Sequence, residues 1–581
     1  MASGSSTESE AYSPSSIRWS IALLSLFLPF VFVPQAFDPF QLPKEILFHA
    51  GTLLVLGIWL WGAFRGSSIR IAQTGIALPL LLFLFISLLS VFQAPYKAAS
   101  LESFRDATYA VILFVIAASS LSLRDRLVPY SLGIASLVTA CLGLSQILLG
   151  PRVAWLPGTQ GGAVVGDVTT AATFVAVLLP LLWGLALGSS RAVGWLWAVG
   201  SGLATAYVAL SRTPSAWSAA VAGALWLLAL SLAGKLSIRR ERSPDSSLPL
   251  RGVALAAVAL AAMLWGAYGS GIRLTSNPPS FKTSELEGWS LRSEAWRVTR
   301  SMVFANPLGA GIGNWRQVFA SEAGNAKPKT GFSPSRLPLQ AGNEYLQVAA
   351  EVGAAGLALV IWIAFLLIRT GWRRARQGAE FPVPHCAACI VGIAAAGFYA
   401  SSLREQPVLW ATTILAALMV VPASGAPGGV FAEPVVSRWA MVSRRRAALG
   451  YLTALFYLLL LGLVIWSEAT TLLSSVQMKS GHAACSRRDF DRGLPELLKA
   501  GKLDRRSSQA RSLAATCALE AGRPDLAEKE IRASLSLNPK DATSWRILAG
   551  ALKARGNLTE AIASCEKART LWPQDERINL L

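Results

Sequence analysis

Charge is scarce in these 581 residues. Only 15% are Asp, Glu, Lys or Arg, against roughly 25% in an average soluble domain, which argues against a water-soluble globule of this size. Cysteine is sparse too, with six in the whole chain, and that excludes a disulfide-framework protein. The 48 glycines follow no three-residue period, so the chain is not collagen-like. No phosphate-cradling Walker sequence, serine-hydrolase elbow or zincin motif occurs. What is present is apolar: 53% hydrophobic residues and a mean hydropathy of +0.46. That excess excludes disorder over most of the length and predicts an all-α, polytopic membrane helical bundle.

Runs of about 20 apolar residues are long enough to cross a bilayer as helices. Candidates fall near 19–36, 46–64, 75–93, 107–122, 128–149, 169–188, 192–210, 215–234, 252–270, 349–368, 386–403, 407–424 and 447–466. The fourth and eleventh are diluted by Ala and Ser. Residues 1–18 form a polar, acidic tail without a basic n-region, so the first span reads as an anchor rather than a cleaved signal.

Lys and Arg in short loops set the orientation. One alternate set of segments holds nineteen of them, in clusters such as Arg239, Arg240 and Arg242, or Arg373, Arg374 and Arg376. The opposite loops hold six: Lys44, Lys97, Arg105, Arg152, Arg212 and Arg404. The N-terminus is therefore expected in the cytoplasm. The long loop 271–344, between membrane segments 19–270 and 345–467, is expected outside, together with the tail beyond 474. This bias accounts for the net charge of +20 without a nucleic-acid partner.

The tail repeats itself every 34 residues. Gly522 and Gly556, Ala527 and Ala561, and Pro539 and Pro573 are each 34 apart. Small Ala lets paired helices approach, Gly ends the first helix and Pro follows the second. Residues 474–581 thus resemble a tetratricopeptide array, with a third, degenerate unit at 475–507 matching at Ala500. Such an array docks a protein partner or caps the membrane domain. Cys485 and Cys517 either bridge adjacent helices or remain free thiols.

Chemistry is expected in the outward loop, which is far longer than a connection requires. Leu291 to Ala305 reads as an amphipathic helix, with Trp296, Met302, Val303 and Phe304 apolar and Arg292, Arg297 and Arg300 polar. Next comes Asn306-Pro307-Leu308-Gly309-Ala310-Gly311-Ile312-Gly313-Asn314-Trp315. No strand precedes these glycines, so a dinucleotide fingerprint is a poor explanation, and a tight re-entry against the membrane domain is the simpler one. The loop ends in Gly342-Asn343-Glu344-Tyr345-Leu346-Gln347, followed by Glu351 and Gly353. Acidic groups extending into a span face protein or water rather than lipid. His385-Cys386-Ala387-Ala388-Cys389 has metal-like spacing but no second pair, and reads as small apolar packing; no metal and no cofactor are expected.

These stretches, with Ser211-Arg212-Thr213-Pro214, resemble the O-antigen ligase and polymerase superfamily of bacterial membrane glycan transferases, the motif core covering about 200–369. The resemblance implies an inverting, metal-independent transfer of a glycan from an undecaprenyl diphosphate carrier to a hydroxyl acceptor, outside the bacterial inner membrane. It implies that Arg212 and Arg292 grip the diphosphate, and that Arg297, Arg300, Trp296, Asn314, Asn343 and Tyr345 line the substrate site. The family's histidine before the Asn-Glu-Tyr segment is replaced here by Gly342, which leaves Glu344 as the candidate general base. The competing reading is a non-catalytic envelope scaffold that recruits partners through its repeats.

Overall fold

The computed structural model describes residues 15–64, 71–72, 74–123, 125–153, 157–233, 289–326, 332, 337–379, 381–421 and 443–573. Among these residues there are twenty α-helices. The first eight are α1 (Ser15–Phe27), α2 (Gln41–Phe64), α3 (Ala77–Gln93), α4 (Lys97–Ser120), α5 (Leu127–Leu149), α6 (Val168–Gly188), α7 (Arg191–Ser211) and α8 (Pro214–Leu232). The loop region supplies α9 (Trp289–Ala305) and α10 (Trp315–Asn325), followed by α11 (Glu344–Glu351). Then come α12 (Gly353–Arg376), α13 (Val383–Ala396), α14 (Gln406–Val420) and α15 (Ser443–Ser486). The tail folds as α16 (Phe490–Leu503), α17 (Ser508–Glu520), α18 (Pro524–Leu537), α19 (Ala542–Ala554) and α20 (Leu558–Leu571).

Among the described residues, seven helices are long and apolar enough to cross a membrane: α2, α5, α6, α7, α8, α12 and the Ala454–Ser486 part of α15. The candidates at 19–36, 75–93, 386–403 and 407–424 appear as the shorter apolar helices α1 (with its 3-10 turn), α3, α13 and α14. The candidate at 107–122 is the second half of α4, whose first turns carry Glu102, Arg105 and Asp106. The candidate at 252–270 lies outside the described residues. The most enclosed of these seven is α6: Phe174, Leu178, Leu181, Leu182 and Leu185 are all buried, and α5, α7, α8 and α13 pack round it.

A single helix joins bilayer and tail. At 1.5 Å per residue, the 44 residues of α15 reach roughly 66 Å. Most of its apolar residues from Leu455 to Trp466 are exposed, as lipid contact requires, while Leu461 and Val464 pack against the bundle core. Beyond them it becomes the first helix of the repeat array, paired with α16. The array then folds back: Trp572 at its far end is buried among Trp315, Phe319 and Ala323 of α10. The loop helices and the tail therefore share one side of the bundle.

The three repeat units show why the first was degenerate. Gly522 (φ +71°) and Gly556 (φ +81°) turn between paired helices in the left-handed region, and Arg488 stands 34 residues earlier at φ +65°. Ala500, Ala527 and Ala561 are buried at the helix crossings, and Cys485 is disulfide-bonded to Cys517, joining the first two units. A side chain in this backbone region costs about 1–2 kcal/mol, part of which glycine returns as unfolded-chain entropy. Arg488→Gly is therefore expected to stabilise the repeat domain by about 0.5–1 kcal/mol, read as a raised Tm of the purified protein.

Candidate active site

The glycine turn after α9 is built for close packing. Gly309, Gly311 and Gly313 all have positive φ. A Cβ on Gly309 would stand 2.3 Å from the Glu351 carbonyl oxygen, and one on Gly313 would stand 2.3 Å from Ser103 Oγ. The turn's amides are spent inside the protein. Ala310 N–H donates to the Ala350 carbonyl and Gly311 N–H to the Glu351 carbonyl, at 2.8 and 2.9 Å, while Gly313 N–H donates to Glu351 Oε2 at 2.8 Å. The turn thus caps the end of α11 rather than cradling a phosphate, in line with the re-entry reading. Asn314, fully buried, receives Tyr96 N–H on Oδ1 and gives its amide protons to the Tyr96 carbonyl and Ser100 Oγ. Expected to bind substrate, it instead clamps the turn to the start of α4.

The 341–353 segment is equally committed. Asn343 caps α11, accepting from Leu346 N–H at 3.0 Å and donating to the Phe398 carbonyl at 3.1 Å. The Tyr345 hydroxyl donates to the Ala394 carbonyl at 2.6 Å. These bonds help position the segment. Gln347 ties Ala341 N–H to Glu351. Gly342 itself has φ +64°, a left-handed conformation that glycine adopts without the cost a Cβ brings.

The start of α11 docks on residues 394–404. Glu344 is buried; its N–H reaches the Gly397 carbonyl at 2.7 Å and its Oε2 accepts from Leu403 N–H at 3.1 Å. The Arg404 guanidinium stands between two carboxylates, 2.5 Å from Glu351 Oε2 and 3.8 Å from Glu344 Oε1. Burial raises the Glu344 pKa above the usual carboxylate value, and Arg404 and the Leu403 N–H oppose that rise. On the same turn, Arg292 donates to the Tyr399 carbonyl at 2.9 Å, which orients its guanidinium. Trp296 donates to the Ala341 carbonyl at 3.2 Å. Of the remaining arginines of α9, Arg297 is half-buried and Arg300 exposed. The buried apolar stripe of the helix is Ala295, Val298 and Met302; Phe304, on the apolar surface read from the sequence, is exposed.

Helix register brings Arg212 to the same end. A Cβ on Gly392 would stand 2.9 Å from the Ala219 carbonyl oxygen, and one on Gly223 would stand 3.3 Å from the Ala388 carbonyl oxygen. Continued along two antiparallel helices, that register sets Ser215 level with Ala396, beside the turn that holds Glu344 and Arg292. Arg212 ends α7 just before Thr213 and Pro214, exposed and at φ +53°. A left-handed arginine is a strained residue, and strain of this kind collects at functional sites.

Two acidic features went unread in the sequence. Glu405, next to Arg404, accepts from Gln340 Nε2 at 3.0 Å. Burial, with Asp167 and Asp38 adding repulsion, pushes its pKa up to about 8. Ionising it therefore costs stability: its contribution is full below the ordinary carboxylate pKa and is lost as pH rises through about 8. Glu405→Gln is expected to shrink the difference in Tm between pH 5 and pH 8.5, measured by thermal unfolding in micelles. The second feature is a buried ion-pair network. His49 lies 2.7 Å from Asp106 Oδ1 and 3.0 Å from Glu468 Oε1, and Arg105 bridges Glu45 and Glu468 at 3.0 and 2.8 Å. Glu45, His49 and Asp106 hold ligand-type atoms within 4.8 Å of one another. Glu45 of that set is already paired with Arg105 and both imidazole nitrogens face carboxylates, so the network fastens α2, α4 and α15 together. The pair His385 and Cys386 is buried in the α13 core, as small-residue packing predicts.

Fold and site together define a polytopic, all-α membrane protein with a charged, partly buried site where its outer helices meet the bundle. Residues 176–361 match the O-antigen ligase family and residues 514–576 the tetratricopeptide repeat. Residues 176–361 are thus similar to an O-antigen ligase domain and the tail to tetratricopeptide repeats, which supports a membrane glycan ligase- or polymerase-like role. No curated protein matches it.

Proposed function

We propose that this protein transfers a glycan from an undecaprenyl diphosphate carrier to a hydroxyl acceptor at the extracytoplasmic face of the bacterial inner membrane. The observation that carries the reading is the convergence of Arg292 and Glu344 on residues 397–403, with Arg212 at the same helix end and all three within the matched domain. Glu344 takes the proton of the acceptor hydroxyl, whose oxygen attacks the anomeric carbon opposite the diphosphate. The glycosidic bond to phosphate breaks, the configuration inverts, and the diphosphate lipid leaves with the bonding pair. Guanidinium forks on Arg212 and Arg292 stabilise the charge that develops there, with Arg297 and Arg300 assisting and no metal required. The raised pKa of Glu344 suits a general base.

The nineteen-to-six bias of basic residues supports the outer face. So does the Cys485–Cys517 disulfide, a bond of oxidising compartments. Purified protein in proteoliposomes supplied with a lipid-linked oligosaccharide and a panel of hydroxyl acceptors is expected to release polyprenyl diphosphate and form a glycosylated product. Inert wild type across that panel would favour the scaffold reading, to which the glycine at 342 lends weight.

A further inference from the structure

A cavity of about 380 Å³ opens at the root of the repeat domain, between α15 and the α16–α17 turn. Trp466, Thr470 and Thr471 form one wall, and Lys502, Arg505 and Arg506 the other. Its depth relative to the bilayer follows from α15. Leu455, Phe456, Leu459 and Leu463 are more than half exposed, and this continuous lipid-facing run reaches Trp466, itself 70% exposed; beyond it on this helix Leu473 is the one further exposed large apolar residue. An exposed tryptophan closing an apolar stretch marks the headgroup level, so the cavity opens where headgroups lie.

Its charge selects the occupant. Three exposed cations line it with one carboxylate, Asp504, whose Oδ1 already accepts the Arg506 backbone N–H at 3.1 Å. Glu102 and Glu468 lie within electrostatic reach of Arg506, which leaves Lys502 and Arg505 as the cations for an anion. The wall is held in place: Arg506 donates to Ser467 Oγ at 3.2 Å, and its carbonyl accepts the Tyr96 hydroxyl at 2.9 Å. Thr470 and Thr471 donate their protons to the Ser467 carbonyl, which leaves their oxygens as acceptors. Cations for a phosphate, acceptors for headgroup hydroxyls and an indole for the acyl region complement an anionic phospholipid.

We infer that this cavity binds the phosphodiester headgroup of an anionic phospholipid such as phosphatidylglycerol, seating the repeat domain on the membrane surface. The inference is independent of glycan transfer. Full-length protein in nanodiscs of phosphatidylcholine, with and without phosphatidylglycerol, is the test, with native mass spectrometry counting retained lipid. Wild type is expected to retain phosphatidylglycerol over phosphatidylcholine. At about 1 kcal/mol per surface cation, Lys502→Ala with Arg505→Ala weakens that retention by about 30-fold. The control pair Arg523→Ala with Lys529→Ala, exposed elsewhere on the array, leaves it unchanged. Equal retention of the two lipids, or equal loss in both variant pairs, would overturn the inference. Inorganic phosphate displacing phosphatidylglycerol at equal concentration would overturn it as well, since the site would then read free phosphate and not lipid.

Discussion

Arg292→Ala is expected to lower glycan transfer by about 100- to 1,000-fold, the loss typical of deleting one preorganised charge-stabilising donor. The reason lies in how the guanidinium is held. Its Nη1 hydrogen bond to the Tyr399 carbonyl fixes the plane of a fork that carries five N–H groups, so its orientation is set before a diphosphate arrives. Arg292→Lys keeps the charge but loses the fork, and is expected to recover only a small part of the activity. Because the residue is half-buried on a helix whose core is Ala295, Val298 and Met302, Tm changes little. Unchanged transfer by Arg292→Ala at normal expression would remove this residue from the chemistry.

The second large effect concerns folding. Arg404→Ala is expected to destabilise the protein by about 3–5 kcal/mol, the cost of stranding buried charge. Glu351 Oε2 would lose its 2.5 Å partner while still accepting from Gly313 N–H, and Glu344 would lose its nearest guanidinium. The damage would reach the glycine turn, α11 and the 397–403 segment together. Thermal unfolding in micelles should show a large drop in Tm for Arg404→Ala. Replacing Arg404, Glu344 and Glu351 together by Met, Gln and Gln should recover part of it, because no unpaired charge then remains. A Tm equal to wild type for Arg404→Ala would show that the trio does not hold the site together.

The legible parts of this molecule were those with a period. Apolar runs of membrane length and the 34-residue echo located the bundle and the repeats, since each residue there answers to a repeating geometric demand. The glycine turn was also readable: Gly309, Gly311 and Gly313 leave no room for a Cβ against Glu351, Ala94 and Ser103. Less legible were contacts that depend on tertiary closure. Asn314, Asn343 and Tyr345 have the polar groups of substrate ligands, and only the folded chain shows them spent on Tyr96, Phe398 and Ala394. Arg404 read only as one loop cation, and Glu405 was not singled out. Opposite charges set side by side between two apolar runs were the signal available, and burial of both neighbouring acids gives it meaning.

The central claim is that Arg212 and Arg292 act on one diphosphate at the outer surface. Single cysteines at positions 212 and 292, in a protein freed of its native unpaired thiols, can be labelled in intact cells with a membrane-impermeant maleimide. Both positions are expected to react from outside, and a cysteine at position 376 only after permeabilisation. Labelling of 212 or 292 only after permeabilisation would place the two arginines on opposite faces, or both inside, and would contradict the proposed mechanism.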